Sequence, residues 1–142
     1  MSAWTEFTPA VVLNALPTDL HTLYLSWLDA NPSKTNRLAE LIAETLATYR
    51  QAAACNVDVV LDEDETTVPT TGFRHALNTV TFNLGMEMGV EFAPEVATLI
   101  TRADIWLRMV QNGSISPVDF TAGTPSYRVP KCFTQRIRML WG

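Results

Sequence analysis

The chain has 142 residues, of which 47% are apolar and only 18% charged, with a formal net charge of −5. That length suits one compact domain with a core of its own, and the composition excludes a disordered or low-complexity protein. The charge distribution argues against general nucleic-acid binding: residues 1–119 hold all fifteen acids and six of the Lys/Arg, a net −9, whereas phosphate contacts need a basic face.

Residues 120–142 are the opposite, with Arg128, Lys131, Arg136 and Arg138 and no acid, a net +4. The low charged fraction, against about 25% in typical domains, leaves uncharged surface that favours subunit contacts. Cys55 and Cys132 stand far apart and form no CxxC pattern. They read as reduced thiols rather than a disulfide framework, with a reducing compartment as the default. Met1-Ser2-Ala3-Trp4 lacks the basic and apolar regions of a signal peptide, which predicts a protein that is cytosolic when made. No apolar run approaches the roughly 18 residues that span a bilayer.

In chain order, Thr8-Pro9 opens a short helix over Ala10 to Leu16, with Thr8 as a cap and Pro9 at the first helical position. Pro17 breaks it. A second helix runs from Asp19 to about Asp29, because Leu20, Leu23, Tyr24, Trp27 and Leu28 share one helical face. Asn31-Pro32 ends it. Ser33 is the expected cap of a long Ala-rich helix reaching Ala54, with Leu38, Leu41, Ile42, Thr45, Leu46 and Tyr49 inward.

Residues 56–71 read as an exposed loop or short hairpin, with strand-like residues over Asn56 to Leu61 and an acidic run over Asp62 to Glu65. A helix over about Thr71 to Val90 carries Phe73, Leu77, Val80, Leu84 and Met88 on one stripe; Gly85 and Gly89 permit a close contact or mark a break. The last helix begins at Ala93-Pro94 and ends at Gly113, with Val96, Leu99, Ile100, Ala103, Leu107 and Val110 as its core face. Beyond Gly113 the prolines predict extended chain. Val129, Lys131, Phe133, Gln135, Ile137, Met139 and Trp141 alternate with Cys132, Thr134, Arg136 and Arg138 as a strand-like arm would. A lone strand is unstable in water, so the arm is expected to pair with a sheet edge, its own or a neighbour's.

The expectation is therefore a mainly α protein: an antiparallel helical bundle over residues 1–113, an acidic loop, and an extended C-terminal docking arm over 114–142. Catalytic signatures are missing. His21 and His75 fall on helices without partners at metal spacing, and neither cysteine has a neighbour in sequence that lowers a thiol pKa. There is no phosphate loop, GxGxxG, HExxH or GxSxG. Asp62-Glu63-Asp64-Glu65 lacks the alternation and glycine of an EF-hand, so it reads as solvated charge rather than a calcium site. Glu87, Glu91 and Glu95 read as surface charges. Trp27 and Trp106 fit core or interface. Trp4 and Trp141, at the ends, fit docking to a partner, the alternative being that they fold back on their own domain. No catalytic, cofactor-binding or metal-ligating residue is expected.

Three segments carry a resemblance. They are Arg37-Leu38-Ala39-Glu40-Leu41-Ile42-Ala43-Glu44-Thr45-Leu46-Ala47-Thr48-Tyr49, then Pro94-Glu95-Val96, then Ala103-Asp104-Ile105-Trp106-Leu107-Arg108-Met109-Val110-Gln111-Asn112-Gly113. In their order and spacing, residues 8–117 resemble the head–tail connector, or adaptor, family of tailed bacteriophages. The resemblance implies a non-enzymatic virion protein without cofactors, made in the host cytoplasm and located in the neck. Members form a ring, usually dodecameric, below the portal; it extends the DNA channel and presents a platform to the next neck or tail-terminator protein.

DNA would pass such a ring without specific binding, since acidic walls do not trap phosphate. On this reading Arg128, Lys131, Phe133, Arg136, Ile137, Arg138, Met139 and Trp141 dock on the portal or a neighbouring subunit. The loop with Asp58, Asp62, Glu63, Asp64 and Glu65 faces the channel or the neck. The acidic loop and residues 114–142 have no counterpart in the family pattern. The rival readings are a DNA-contacting neck or packaging protein, a tail-completion protein, and a small helical ligand-binding protein or enzyme.

Overall fold

A computed structural model describes residues 3–56 and 59–118. Within these residues the fold has five α-helices and one two-stranded sheet: β1 (Trp4–Glu6), α1 (Pro9–Ala15), α2 (Thr18–Ala30), α3 (Arg37–Ala54), β2 (Thr67–Pro69), α4 (Phe73–Glu87) and α5 (Pro94–Gln111). The protein is mainly α, a small helical bundle, as the apolar periodicities predict.

The boundaries follow local chemistry. Pro9 and Pro94 occupy first-turn positions, where a missing N–H leaves no bond unmade. Thr8 is the N-cap of α1, but its side chain makes no capping bond. Pro17 forces Leu16 into extended backbone and separates α1 from α2. Ser33 does not cap α3. It lies in a 3₁₀ turn over Pro32–Lys34, and α3 starts after Asn36. Pro32 favours this tight turn, which closes with Lys34 N–H on Asn31 O at 2.9 Å and the Thr35 hydroxyl on Pro32 O at 2.7 Å. Gly89 and Gly113 both have positive φ, +78° and +76°, and end α4 and α5.

Helices α3, α4 and α5 pack antiparallel in chain order. The start of α3 meets the end of α4 through the Arg37–Glu87 ion pair, and Tyr49 lies against Thr79. Phe82 on α4 packs against Phe92, just ahead of α5, at 5.3 Å, and His75 packs against Trp106 at 5.7 Å, both pairs with tilted rings. Gly85 lets Phe92 close down on α4, since a Cβ there would collide with the Phe92 ring. The main core joins Phe7, Val12, Leu16, Leu20 and Tyr24 to the inner faces of α3 and α4. Phe7 meets Phe73 edge-on at 6.0 Å.

The strands fall elsewhere than the sequence suggests. Residues 59–61 are irregular, with Val59 buried and Val60 87% exposed. The strand is Thr67–Pro69, and its partner is the N-terminal segment, antiparallel with Thr5 opposite Val68. Hydrogen bonds from Phe7 N to Thr66 O (2.8 Å) and Thr70 N to Ala3 O (2.9 Å) extend the pair. A short strand needs a partner more than it needs β-propensity, and among the described residues, residues 3–7 supply it. Trp4 therefore folds back onto its own domain.

The expected arm residues Arg128, Lys131, Phe133, Arg136, Ile137, Arg138, Met139 and Trp141 lie outside the described residues. Its first part does not: Asn56 Nδ2 donates to Ile115 O at 3.1 Å, and the Thr71 hydroxyl donates to Pro117 O at 2.6 Å. Pro117 is fully buried. Cys55 is disulfide-bonded, which corrects the expectation of reduced thiols.

Candidate functional site

Three features of the surface bear on function: the acidic loop, an aromatic column behind it, and the outer side of α5. Asp58 lies outside the described residues, and the other four acids divide into two kinds. Glu63, Asp64 and Glu65 are all exposed, and Asp62 is half-buried. Asp62 and Asp64 differ from the two glutamates in building the loop. The Asp62 carboxylate accepts the Thr67 hydroxyl at 2.8 Å. Asp64 Oδ1 accepts both the Thr66 hydroxyl (2.6 Å) and the Thr66 N–H (2.9 Å). Those bonds to Thr66, the hydroxyl first, hold the Asp64 carboxyl below its ordinary pKa, and Arg50 adds to the effect.

Arg50, on α3, clasps this loop. Its Nη1 donates to Asp64 O (3.0 Å), Thr67 O (2.9 Å) and Thr67 Oγ1 (3.1 Å), and its Nη2 donates to Asp62 O. The guanidinium carbon also sits 5.3 Å from the centre of the Trp4 ring, within cation–π range. One planar fork thus joins α3, the loop, β2 and β1, a role lysine's single ammonium does not reproduce. The sequence shows the arginine and the acidic run 12 residues apart, but no local spacing shows that backbone carbonyls, rather than the carboxylates, receive the guanidinium.

Behind the clasp, Tyr49 is almost fully buried and stacks on Trp106 at 5.7 Å, with ring planes 22° apart. His75 covers another side of Trp106. Gly72 lies against the indole, where a Cβ would overlap the ring. The Tyr49 and Thr79 hydroxyls are 3.4 Å apart, and Thr79 donates to His75 O at 2.9 Å. Burial pushes the Tyr49 phenol up to about 12, Asp104 pushing the same way and the Thr79 bond opposing. Burial also lowers the His75 pKa. Both shifts favour neutral rings, which suits packing.

A phenol that titrates near 12 in the folded state and near 10 when unfolded stabilises the fold fully below pH 10. Between pH 10 and 12 the unfolded chain loses this proton first, so that contribution declines as pH rises through the folded pKa. Denaturant melts from pH 9 to 12 should show stability falling over this window in the wild type, and falling less in Tyr49→Phe.

The outer side of α5 is less covered than its apolar content suggests. Only Ala103 and Val110 are buried. Val96, Ile100 and Leu107, expected in the core, are half-covered, and Leu99 is 38% exposed. Ile105 and Met109 are 48% and 37% exposed. They sit one turn apart on the side of the helix away from Ala103, where periodicity gives no reason for apolar residues. Among the described residues no three His, Cys, Asp or Glu side chains come together in a metal-binding group, and no helix is long and apolar enough to cross a membrane. No family description, curated protein or solved structure matches this chain.

Proposed function

We propose that this protein is a structural subunit that acts by assembly: a head–tail connector, or adaptor, of a tailed bacteriophage. It forms a ring, dodecameric as in the family it resembles, below the portal. The ring extends the DNA channel and offers a platform to the next neck or tail-terminator protein. It sits in the virion neck, is assembled in the host cytoplasm, and requires no cofactor, catalysis or membrane.

The observation that supports this reading best is the double-sided α5. One side packs on α4 and α3; the other presents Ile105 and Met109 to solvent on a body with few charges. Apolar residues outside the core of a small domain fit burial by a neighbour. Residues 1–119, at net −9, suit a wall past which DNA slides without binding. The same charge counts against the rival in which the body grips DNA.

The double substitution Ile105→Glu with Met109→Glu tests the reading. Both residues are exposed, so the variant should keep the wild-type melting temperature to within about 2 °C. Its incorporation into particles, measured by mass spectrometry of purified virions, should fall at least about tenfold, since two buried unpaired charges at a contact cost well over 1.4 kcal/mol. Wild-type incorporation of the folded variant would remove this face from the assembly.

A further inference from the structure

The loop after α3 and the outer side of α5 each leave an apolar pair in solvent, and each carries unpaired charge, of opposite sign. In the loop, Val60 and Leu61 are 87% and 37% exposed, and the exposed carboxylates of Glu63 and Glu65 follow them. On α5, Ile105 and Met109 are exposed, and the exposed Arg102 and Arg108 stand three residues before and after Ile105. At about 3.6 residues per turn, each arginine lies about 60° from Ile105, one on either flank. The patch therefore faces away from the buried Ala103. Glu95 and Asp104, the acids of α5, fall about 80° and 100° from Ile105, outside the two arginines. Among the described residues every ion pair belongs to Arg37, so Arg102, Arg108, Glu63 and Glu65 have none.

We propose that the two patches are halves of one contact: the loop of one copy docks on the outer side of α5 of a second copy. Val60 and Leu61 cover Ile105 and Met109, and Glu63 and Glu65 meet Arg102 and Arg108.

In the folded chain both patches are exposed at once, so neither covers the other, and the cover comes from a second molecule. Their chemistry matches. Each has apolar side chains at its centre and charge at its edge, as protein interfaces do, and the two charges are opposite. The same charges disfavour two α5 patches or two loops meeting each other.

The loop is also held ready. Val59 is buried, and the carbonyls of Asp62 and Asp64 accept the Arg50 guanidinium. Val60 and Leu61 are thus presented between two anchored points, and docking has little new chain to order. Two unlike patches on one chain make a heterologous contact, which repeats from copy to copy and closes into a ring where the rotation allows. The pairing rests on the reading of the outer side of α5 as an assembly face, and it names what covers that face.

The test uses the full chain, purified and concentrated, with the photo-crosslinking residue p-benzoylphenylalanine in place of Met109. Irradiation should give a product of twice the chain mass, and mass spectrometry should map the second chain's attachment to residues 59–65. Adding Arg102→Glu and Arg108→Glu to the probe chain should lower that yield roughly tenfold, because like charges then face each other. Irradiating this variant with a second chain that carries Glu63→Lys and Glu65→Lys should restore it. All the substituted residues are exposed, and Glu63 and Glu65 make none of the loop's hydrogen bonds among the described residues, so helical circular dichroism should be unchanged throughout. Attachment to another surface or within the same chain would overturn the pairing. So would the lack of a double-mass product, a yield indifferent to the charge reversal, or no restoration by the reversed loop. None of these results touches the assembly reading itself, which the incorporation of the Ile105→Glu, Met109→Glu variant into particles decides separately.

Discussion

Replacing Arg50 by alanine is expected to lower the unfolding free energy by about 3 kcal/mol and the melting temperature by roughly 10 °C. The side chain donates to three backbone carbonyls, those of Asp62, Asp64 and Thr67, and to the Thr67 hydroxyl. Thr67 is buried, so its carbonyl loses its guanidinium donor in a place that water reaches poorly. Removal also uncovers the face of Trp4 and loosens the contact that holds β1 against α3. Arg50→Lys keeps the charge but supplies one ammonium where a fork is needed, and should recover less than half of the loss. Thermal melts give the magnitude, and limited proteolysis at Glu63 and Glu65 gives the location. A variant that melts with the wild type and resists cleavage at both sites would show that the loop is held by other means.

Tyr49→Ala should cost more, about 4 kcal/mol, because it empties the largest fully buried position among the described residues. The cavity would open beside Trp106, whose indole also packs against His75 and Gly72 and so has little room to collapse inward. Tyr49→Phe keeps the ring and gives up only a long 3.4 Å contact to Thr79, a change of under about 1 kcal/mol. Urea unfolding of both variants separates the two contributions. If the phenylalanine variant lost as much as the alanine variant, the hydroxyl and not the stacking would hold the column together.

The helices were legible because their signals are local. The spacing of Leu38, Leu41, Ile42, Thr45 and Tyr49 gives the buried face of α3 directly, and the glycines after α4 and α5 have the positive φ that such ends call for. Features that depend on distant partners were not legible. Residues 56–61 look more strand-like than Thr67–Pro69, yet residues 59–61 are irregular and Thr67–Pro69 pairs, because its register is set by where residues 3–7 return to the body. The acidic run reads as uniform charge, but Asp62 and Asp64 accept the loop's own hydrogen bonds, Asp64 while as exposed as Glu63 and Glu65. Ser33 has a capping residue's chemistry and lacks its position, because Pro32 starts a 3₁₀ turn first. For α5, periodicity identified an apolar face but not how much of it the domain covers, since that is set by the size of α3 and α4 and not by α5 itself.

Cryo-electron microscopy of the purified parent particle, focused on the neck, tests the central proposal most directly. The connector reading predicts this chain as a closed ring immediately below the portal, with Ile105 and Met109 of α5 buried at a contact with another chain. Absence of the chain from the neck, or a neck ring in which that face of α5 remains in solvent, would contradict it.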